Sequence, residues 1–344
     1  MEPERPHAKE FLKSLELLDK KESNKSAVLL AIAPSQPRSS VWVALSAIFI
    51  GTIFLTPILF RAPLLGWDWL FAYVNIPPSD IYTPWIDFIV FPLRNLPWRT
   101  GFAIANALTV MSISIVTFRE GNTWWKYLGV LFALVNPPVW FILWDGQIDG
   151  WGLVGLLAMP IGIPLVLMKP TMITFAILAR KDWFILSIIF GIFSILIWGS
   201  WPLKLLGTVG SRVEHPVAMG WSIQGHYLLM LGLILLLFTN RKDPFQHIAV
   251  GAFLHPFVMP YHFVLLLPVL GRLKNTKQLV AWFLNWLLVL EVGFGGIWKD
   301  IVFLLPLCIW LFLRQDESAR ETWLHFLISE LKKINANNRQ FDLR

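Results

Sequence analysis

The feature that most constrains this chain is a series of apolar runs, several of them 18 residues or longer. A helix needs about 20 residues to cross a hydrocarbon layer roughly 30 Å thick, so such runs are candidate transmembrane helices. Only 15% of the residues are charged, whereas a soluble globular domain carries about 25%. The chain therefore lacks the polar residues needed to cover a water-soluble fold, and we predict an integral membrane protein.

The apolar runs predict an all-α polytopic bundle of roughly 8–10 transmembrane helices with short re-entrant or broken segments. Many tryptophans lie at the ends of the runs, where aromatic belts form. Two runs are too short to cross alone, and such backbone is tolerated at membrane depth only where protein or a cavity surrounds it. The predicted spans are residues 41–60, 100–118, 127–144, 151–168, 183–201, 221–239, 247–261, 278–292 and 301–313, and the two short runs are 171–179 and 263–271.

The distribution of Lys and Arg predicts the orientation of the bundle. With the amino terminus inside, 23 of these residues fall on the inner side, Lys169 among them, and 6 fall on the outer side, as the positive-inside rule requires. We therefore predict cytoplasmic amphipathic tails at 1–40 and 314–344, a transmembrane bundle at 41–313 and an extracytoplasmic loop at 61–99. Orientation also accounts for the net charge of +7, so no nucleic-acid partner is expected.

Candidate chemistry gathers on the predicted outer side. Ionisable groups in or near membrane spans are costly and mark function by default. The first outer loop is dense in aromatics and prolines, and two of its acids, Asp68 and Asp80, are candidates for a general base. The chain has one cysteine, Cys308, and no cluster with metal-ligand spacing. We therefore expect neither a metal nor another cofactor.

Four stretches resemble, in this order, the GT-C superfamily of polyprenol-phosphate-sugar-dependent membrane glycosyltransferases, in particular glycosyltransferase family 87. The resemblance covers about residues 41–275 and depends on the shared order, since each stretch alone is a weak signal. The stretches are WDWLFAY at 67–73, IYTPW at 81–85, GQID at 146–149 with the Lys169-Pro170 pair after it, and HPFVMPYHFVLLLP at 255–268.

The chain also departs from the family pattern. Asp149 stands where the family has Asn, and His255 and His262 stand where it has Ser and Asp. The connection between Gln147 and Lys169 is shorter than in the family. These departures are compatible with a member that has lost or changed its activity.

The resemblance implies transfer of a mannose-like hexose from a polyprenyl phosphate donor to an extracytoplasmic acceptor, a glycan or a lipid. A carboxylate would take the acceptor proton, and the resemblance favours Asp68, with Asp80 as the second choice. The leaving phosphate needs cations or hydrogen-bond donors. The residues predicted to bind donor phosphate or sugar are His262, His255, Gln147, Asp149, Arg61, Arg212 and Tyr82.

Two other functions compete with the enzyme. A non-catalytic GT-C-like subunit would scaffold a larger membrane complex, and it predicts a collapsed cavity and apolar faces covered by protein partners. A transporter predicts internal repeats and polar groups deep in the bundle, with access from both sides. The enzyme predicts an open cavity with Asp68 pointing into it beside basic groups.

Overall fold

The computed structural model describes residue 46, residue 66, residues 68–213, 215–315 and 322–341. The tail predicted at 1–40 and nearly all of the first predicted span lie outside the described residues. The structure is about 75% helical and contains no β-strand in its described part. The predicted all-α class is therefore confirmed.

The helices range from 3 to 23 residues, and several are not α-helical. The chain contains a π-helix at Trp69–Asn75 and 3-10 helices at Pro78–Asp80, Met172–Ala179 and Pro260–Leu266. The α-helices, numbered in chain order, are α1 Ile86–Arg94, α2 Trp98–Glu120, α3 Trp125–Leu134, α4 Pro137–Asp145, α5 Trp151–Leu157, α6 Ile163–Val166, α7 Lys181–Trp198, α8 Trp201–Val213, α9 Trp221–Gln224, α10 His226–Phe238, α11 Pro244–Leu254, α12 Val269–Arg272, α13 Asn275–Leu284, α14 Leu287–Phe294, α15 Trp298–Ile301, α16 Leu304–Gln315 and α17 Trp323–Phe341.

Membrane-spanning capacity is concentrated in a few of these helices. In the described part, α2, α7 and the continuous pair α13–α14 are long and apolar enough to cross a membrane. The pair α3–α4 makes a fourth span if it is counted as one helix with a bend of 46°. Three or four spans pass this test, fewer than the apolar runs predicted, because several runs are broken into short helices.

The run at 151–168, predicted as one span, is instead a helical hairpin. α5 and α6 pack against each other, and a Cβ atom added to Gly162 would lie only 1.9 Å from the carbonyl oxygen of Gly155. Prolines within the run remove backbone donors and prevent one continuous helix. The hairpin therefore returns the chain, so that Lys169 lies on the same side of the fold as the start of the run.

The two short apolar runs form short 3-10 helices, and neither makes a long helix. The 3-10 helix Met172–Ala179 packs against α11 and runs antiparallel to it. His255 follows the last residue of α11, and its Nε2 atom lies 2.9 Å from the carbonyl oxygen of Pro170, just before the 3-10 helix. Every residue of Pro260–Leu266 is buried. Protein therefore surrounds Pro260–Leu266, whereas four of the eight residues of Met172–Ala179 are buried.

An ionic cluster holds the opposite end of this core. The Nη1 atom of Arg272 lies 3.0 Å from Asp243 Oδ1 and 3.7 Å from Glu120 Oε2. Asp243 also caps α11, because its Oδ1 accepts a hydrogen bond from the Phe245 amide at 3.0 Å. Polar contacts therefore hold α11 at both ends, through Asp243 at the start of the helix and through His255 at its end.

Gly162→Ala tests the hairpin. The added methyl would meet the backbone of Gly155, so α5 and α6 must separate. We expect the free energy of unfolding to fall by about 1–3 kcal/mol, as in other overpacked sites. The measurement is the melting temperature of the purified protein in detergent.

Gly191→Ala in α7 is the matched control, because nothing lies within 4 Å of a Cβ atom added there. Alanine is the better helix former, so this variant should melt at or above the wild-type temperature. Equal melting temperatures for the two variants would contradict the hairpin.

Candidate functional site

A cavity of about 290 Å³ lies where the segment 68–82, the residues on either side of the hairpin and the segment after α11 meet. Its wall is partly apolar, with Phe71, Ile76, Phe257 and Met259 among its residues. The polar side chains that line it come from distant parts of the chain. They are Asp68, Tyr82, Gln147, Lys169, Thr171, His215, Tyr261 and His262.

A tight turn after α4 carries two of the predicted site residues. Gly146 has a left-handed backbone with φ of 76°, a conformation that glycine adopts at little cost at the end of a helix. The amides of Gly146 and Gln147 both donate to the carbonyl oxygen of Ile142 at 3.0 Å. A side chain at position 146 would collide with Trp69 and Phe102. The turn therefore places Gln147 and Asp149 immediately beside the cavity.

Lys169 is the centre of the polar network at this site. Its residue surface is only 4% exposed, and its Nζ atom lies 2.6 Å from Asp149 Oδ2 and also donates to Gln147 Oε1. The ring centroids of Tyr82 and Tyr261 lie 4.8 and 5.4 Å from the same nitrogen. A buried ammonium is tolerated when it is paired and hydrogen-bonded, and ring faces attract it further.

His262 adds a donor that faces the same carboxylate. Its Nδ1 atom accepts a hydrogen bond from the Met259 amide at 3.1 Å, so Nδ1 carries no proton and the proton is on Nε2. Nε2 lies 3.6 Å from Asp149 Oδ1. The two oxygens of Asp149 therefore face Lys169 and His262 respectively.

Tyr73 supports the network from the π-helix Trp69–Asn75. Its hydroxyl donates to Gln147 Oε1 at 2.9 Å, and its ring stacks on Tyr82 with centroids 5.7 Å apart. Burial, and after it the neighbouring Tyr82 and Asp149, raise the pKa of the Tyr73 phenol well above its usual value. The phenol therefore keeps its proton and acts as a donor.

Asp68 faces the cavity at the start of the same π-helix. Among the cavity-lining side chains that the structure describes, it is the single carboxylate. Its Oδ2 atom accepts a hydrogen bond from Gln147 Nε2. Asp68 is thus held by a neutral amide, whereas Asp149 forms an ion pair with Lys169.

The structure brings together most of the residues predicted from the sequence. Asp68, Tyr82, Gln147, Asp149 and His262 belong to one network. His255 lies beside it, because its ring nitrogens contact the carbonyl oxygens of Pro170 and Phe257, two residues that line the cavity. Three predicted residues receive no assignment, since Arg61 and the side chains of Asp80 and Arg212 lie outside the described residues.

Two features of the site differ from the sequence-based expectation. The count of charges placed Lys169 and Asp68 on opposite sides of the membrane, whereas in the structure they lie on one side of the fold, because both hydrogen-bond Gln147. Tyr73 and Tyr261 were not predicted as site residues, although both fall within the stretches that carry the family resemblance. Within the described residues, no group of three or more His, Cys, Asp or Glu side chains is placed to hold a metal ion.

The chain was compared with models of known protein families, with curated proteins and with solved structures, and no match was found in any of the three. The residues of the site are therefore the basis for assigning a function.

Lys169→Met tests the buried pair. The substitution keeps the length of the side chain but leaves Asp149 without its cation, and breaking a buried ion pair in this way costs about 3–5 kcal/mol. We expect a clear fall in melting temperature. The double variant Lys169→Met with Asp149→Asn should recover part of it, because the uncompensated charge is then gone.

Arg180→Met is the control for this pair. Arg180 also pairs with an aspartate, Asp182, at 2.9 Å, but both side chains are about half exposed. Removal of an exposed ion pair has little effect on stability. A loss as large for Arg180→Met as for Lys169→Met would show that burial of Lys169 is not what makes its pair important.

Tyr73→Phe tests the protonated phenol through its pH dependence. A raised folded-state pKa stabilises the fold below the ordinary phenol pKa of about 10, and this stabilisation is lost as pH rises through the folded-state value. Near neutral pH the variant should be less stable by about 1 kcal/mol for the lost hydrogen bond. The difference in melting temperature between the wild type and Tyr73→Phe should narrow as the pH rises from about 9 to about 11. It should stay constant if the pKa of the phenol is the same in the folded and unfolded protein. The same substitution at the exposed Tyr127 is the control.

Proposed function

We propose that this chain is a multi-pass membrane glycosyltransferase of the GT-C type. It moves a mannose-like hexose from a polyprenyl phosphate donor to a glycan or lipid acceptor on the extracytoplasmic face of a bacterial inner membrane. Both termini are cytoplasmic in this proposal. The helices able to span a membrane support it, as does α7, in which only Ser187 and Ser194 are buried and an apolar surface is exposed as for a helix beside lipid.

The observation that carries the proposal is the presence of Asp68, Lys169 and His262 around one cavity. Glycosyl transfer from a lipid phosphate needs a base for the acceptor hydroxyl. It also needs positive charge or hydrogen-bond donors for the phosphate that leaves. A carboxylate, an ammonium and an imidazole N–H in one small cavity supply both requirements.

Asp68 suits the part of the base. Its hydrogen-bond partner in the described structure is the neutral amide of Gln147, so the carboxylate is not neutralised by an ion pair. Asp149 suits this part less well, because its two oxygens face Lys169 and His262.

Lys169 suits the part of the group that holds the phosphate. An ammonium has three N–H donors, and two of them are directed at Asp149 and Gln147. The side chain lines the cavity, so the third donor is available to a phosphate oxygen. His262 lies at the same wall, with its Nε2 atom 3.6 Å from Asp149 Oδ1, and a phosphate bound beside Lys169 would compete with that carboxylate for the Nε2–H donor.

The size of the cavity favours a small head group. Ligand pockets have volumes of about 300–1,000 Å³, and this cavity, at about 290 Å³, is at the lower end of that range. A single hexose with its phosphate matches this size, and the polyprenyl chain would then extend outside the cavity.

The reaction follows from these positions. Asp68 takes the proton of the acceptor hydroxyl while the hydroxyl oxygen forms a bond to the anomeric carbon of the sugar. The bond between that carbon and the phosphate oxygen breaks, and its electron pair leaves with the polyprenyl phosphate. Lys169 and His262 then stabilise the negative charge of the phosphate.

The test is transfer of label from radiolabelled polyprenyl phosphate mannose to a pool of bacterial lipids and glycans by the purified protein. Asp68→Asn should reduce transfer by about 10²–10⁴-fold, the usual contribution of a general base. Asp87→Asn is the matched control, because Asp87 is another partly buried aspartate of the same outer loop, paired with Arg94 at 3.4 Å. It does not line the cavity.

Each outcome has a defined meaning. Loss of transfer in Asp68→Asn but not in Asp87→Asn supports the assignment of the base. Equal transfer by wild type and Asp68→Asn would remove Asp68 from the mechanism and direct attention to Asp80. Absence of transfer by the wild type would favour the non-catalytic subunit, and the protein partners that co-purify from the membrane would then be sought.

A further inference from the structure

We infer that Gln147 is a positioning residue that aims the Asp68 carboxylate into the cavity through an amide locked in one orientation. The inference rests on the proposed function for its catalytic meaning. It assigns Gln147 a role different from the sugar contact expected from the sequence, because both ends of this buried amide are engaged by protein groups.

The orientation of the amide follows from the chemistry of its neighbours. Lys169 Nζ and the Tyr73 hydroxyl both donate to Gln147 Oε1. An ammonium has no acceptor, and the Tyr73 phenol keeps its proton because burial raises its pKa. The amide oxygen must therefore face these two donors, and a flipped amide would direct its N–H groups at an ammonium.

The locked amide has a direct consequence for Asp68. With its oxygen directed at Lys169 and Tyr73, Gln147 has its Nε2–H directed at Asp68 Oδ2. This hydrogen bond holds Oδ2 of Asp68. The Asp68 side chain lines the cavity, and we assign the proton transfer to its other oxygen, Oδ1. A neutral donor can orient a carboxylate without forming an ion pair with it.

The same arrangement links Asp68 to the phosphate-binding end of the site. Lys169 polarises the amide from its oxygen side, and hydrogen bonds in a chain strengthen one another in a low-dielectric interior. The oxygen and the nitrogen of the Gln147 amide are already engaged by protein groups, so we assign it a role that acts through Asp68 and not by contact with substrate. Gln147 is therefore a positioning residue, whereas Asp68, Lys169 and His262 are the groups proposed to contact the substrate.

Gln147→Glu is the sharpest test, because the side chain keeps its shape and only the donor is exchanged for an acceptor. The new carboxylate still accepts from Lys169 and Tyr73 but repels Asp68. We expect the KM for radiolabelled polyprenyl phosphate mannose to change by less than about threefold and kcat to fall by at least about tenfold. Like-charge repulsion favours protonated Asp68, so the acidic limb of the pH–rate profile should move up by about one pH unit or more.

Gln278→Glu is the matched control. Gln278 is also a fully buried glutamine, and its Nε2 donates to the carbonyl oxygens of Trp125 and Leu270 at 3.0 and 2.7 Å. It does not line the cavity. The control should lower the melting temperature but leave the pH–rate profile in place, which separates loss of stability from loss of positioning.

A measurement that does not depend on transfer uses a water-soluble carbodiimide with an amine nucleophile, which modifies protonated carboxyls. Mass spectrometry would quantify modification of Asp68 and, as an internal reference, Asp87. In Gln147→Glu we expect Asp68 to be modified several-fold faster than in wild type near pH 6, while the rate for Asp87 stays the same. Gln278→Glu should show wild-type rates at both residues.

The two proposals fail in different ways. Wild-type transfer with an unchanged pH profile and unchanged Asp68 modification in Gln147→Glu would overturn the positioning role and leave the glycosyltransferase in place. Faster modification of Asp68 without any wild-type transfer would support the locked amide and count against the glycosyltransferase. Unchanged modification without transfer would overturn both.

Discussion

The burial of the Lys169 ammonium organises the site and the segments around it. Taking such an ion out of water costs several kcal/mol unless partners compensate it. The partners come from three distant parts of the chain: Asp149 and Gln147 from the turn after α4, Tyr82 from the segment before α1, and Tyr261 from the buried 3-10 helix. Because one amine must satisfy all of these contacts, its burial determines where the three parts lie relative to one another. The cavity lies between these three parts of the chain, and Tyr82, Gln147 and Tyr261 line it together with Lys169.

Short buried segments make this arrangement possible. α11 has 11 residues and so is only roughly 16 Å long at 1.5 Å per residue. The 3-10 helices packed against it are similarly short, and ionic or imidazole groups hold both ends of this core. The polar groups at the two ends of α11 are therefore separated by only a short helix. A network of hydrogen bonds can form beside these segments because protein surrounds much of their irregular backbone.

Much of the candidate site was predictable from the order of four short stretches, although none of them is specific alone. Asp68, Tyr82, Gln147, Asp149 and His262 were predicted as site residues, and they lie in one network. Lys169 was placed on the opposite side from Asp68, because a count of charges along the chain assumes that each long apolar run crosses once. The run at 151–168 reverses instead, and its glycines permit an approach that periodicity does not reveal. Tyr73 was missed because its importance depends on which atom of Gln147 it meets.

Apolar content and run length determined the helical class and the presence of helices able to span a membrane, since these properties depend on local composition. They did not determine how many runs cross, because a hairpin and a span of equal length have the same hydropathy. The tertiary structure alone decided that Lys169 pairs with Asp149, and that Gln147 has its oxygen directed at Lys169 and its nitrogen at Asp68. Those outcomes depend on distances between side chains far apart in the chain, and only packing of the whole bundle sets such distances.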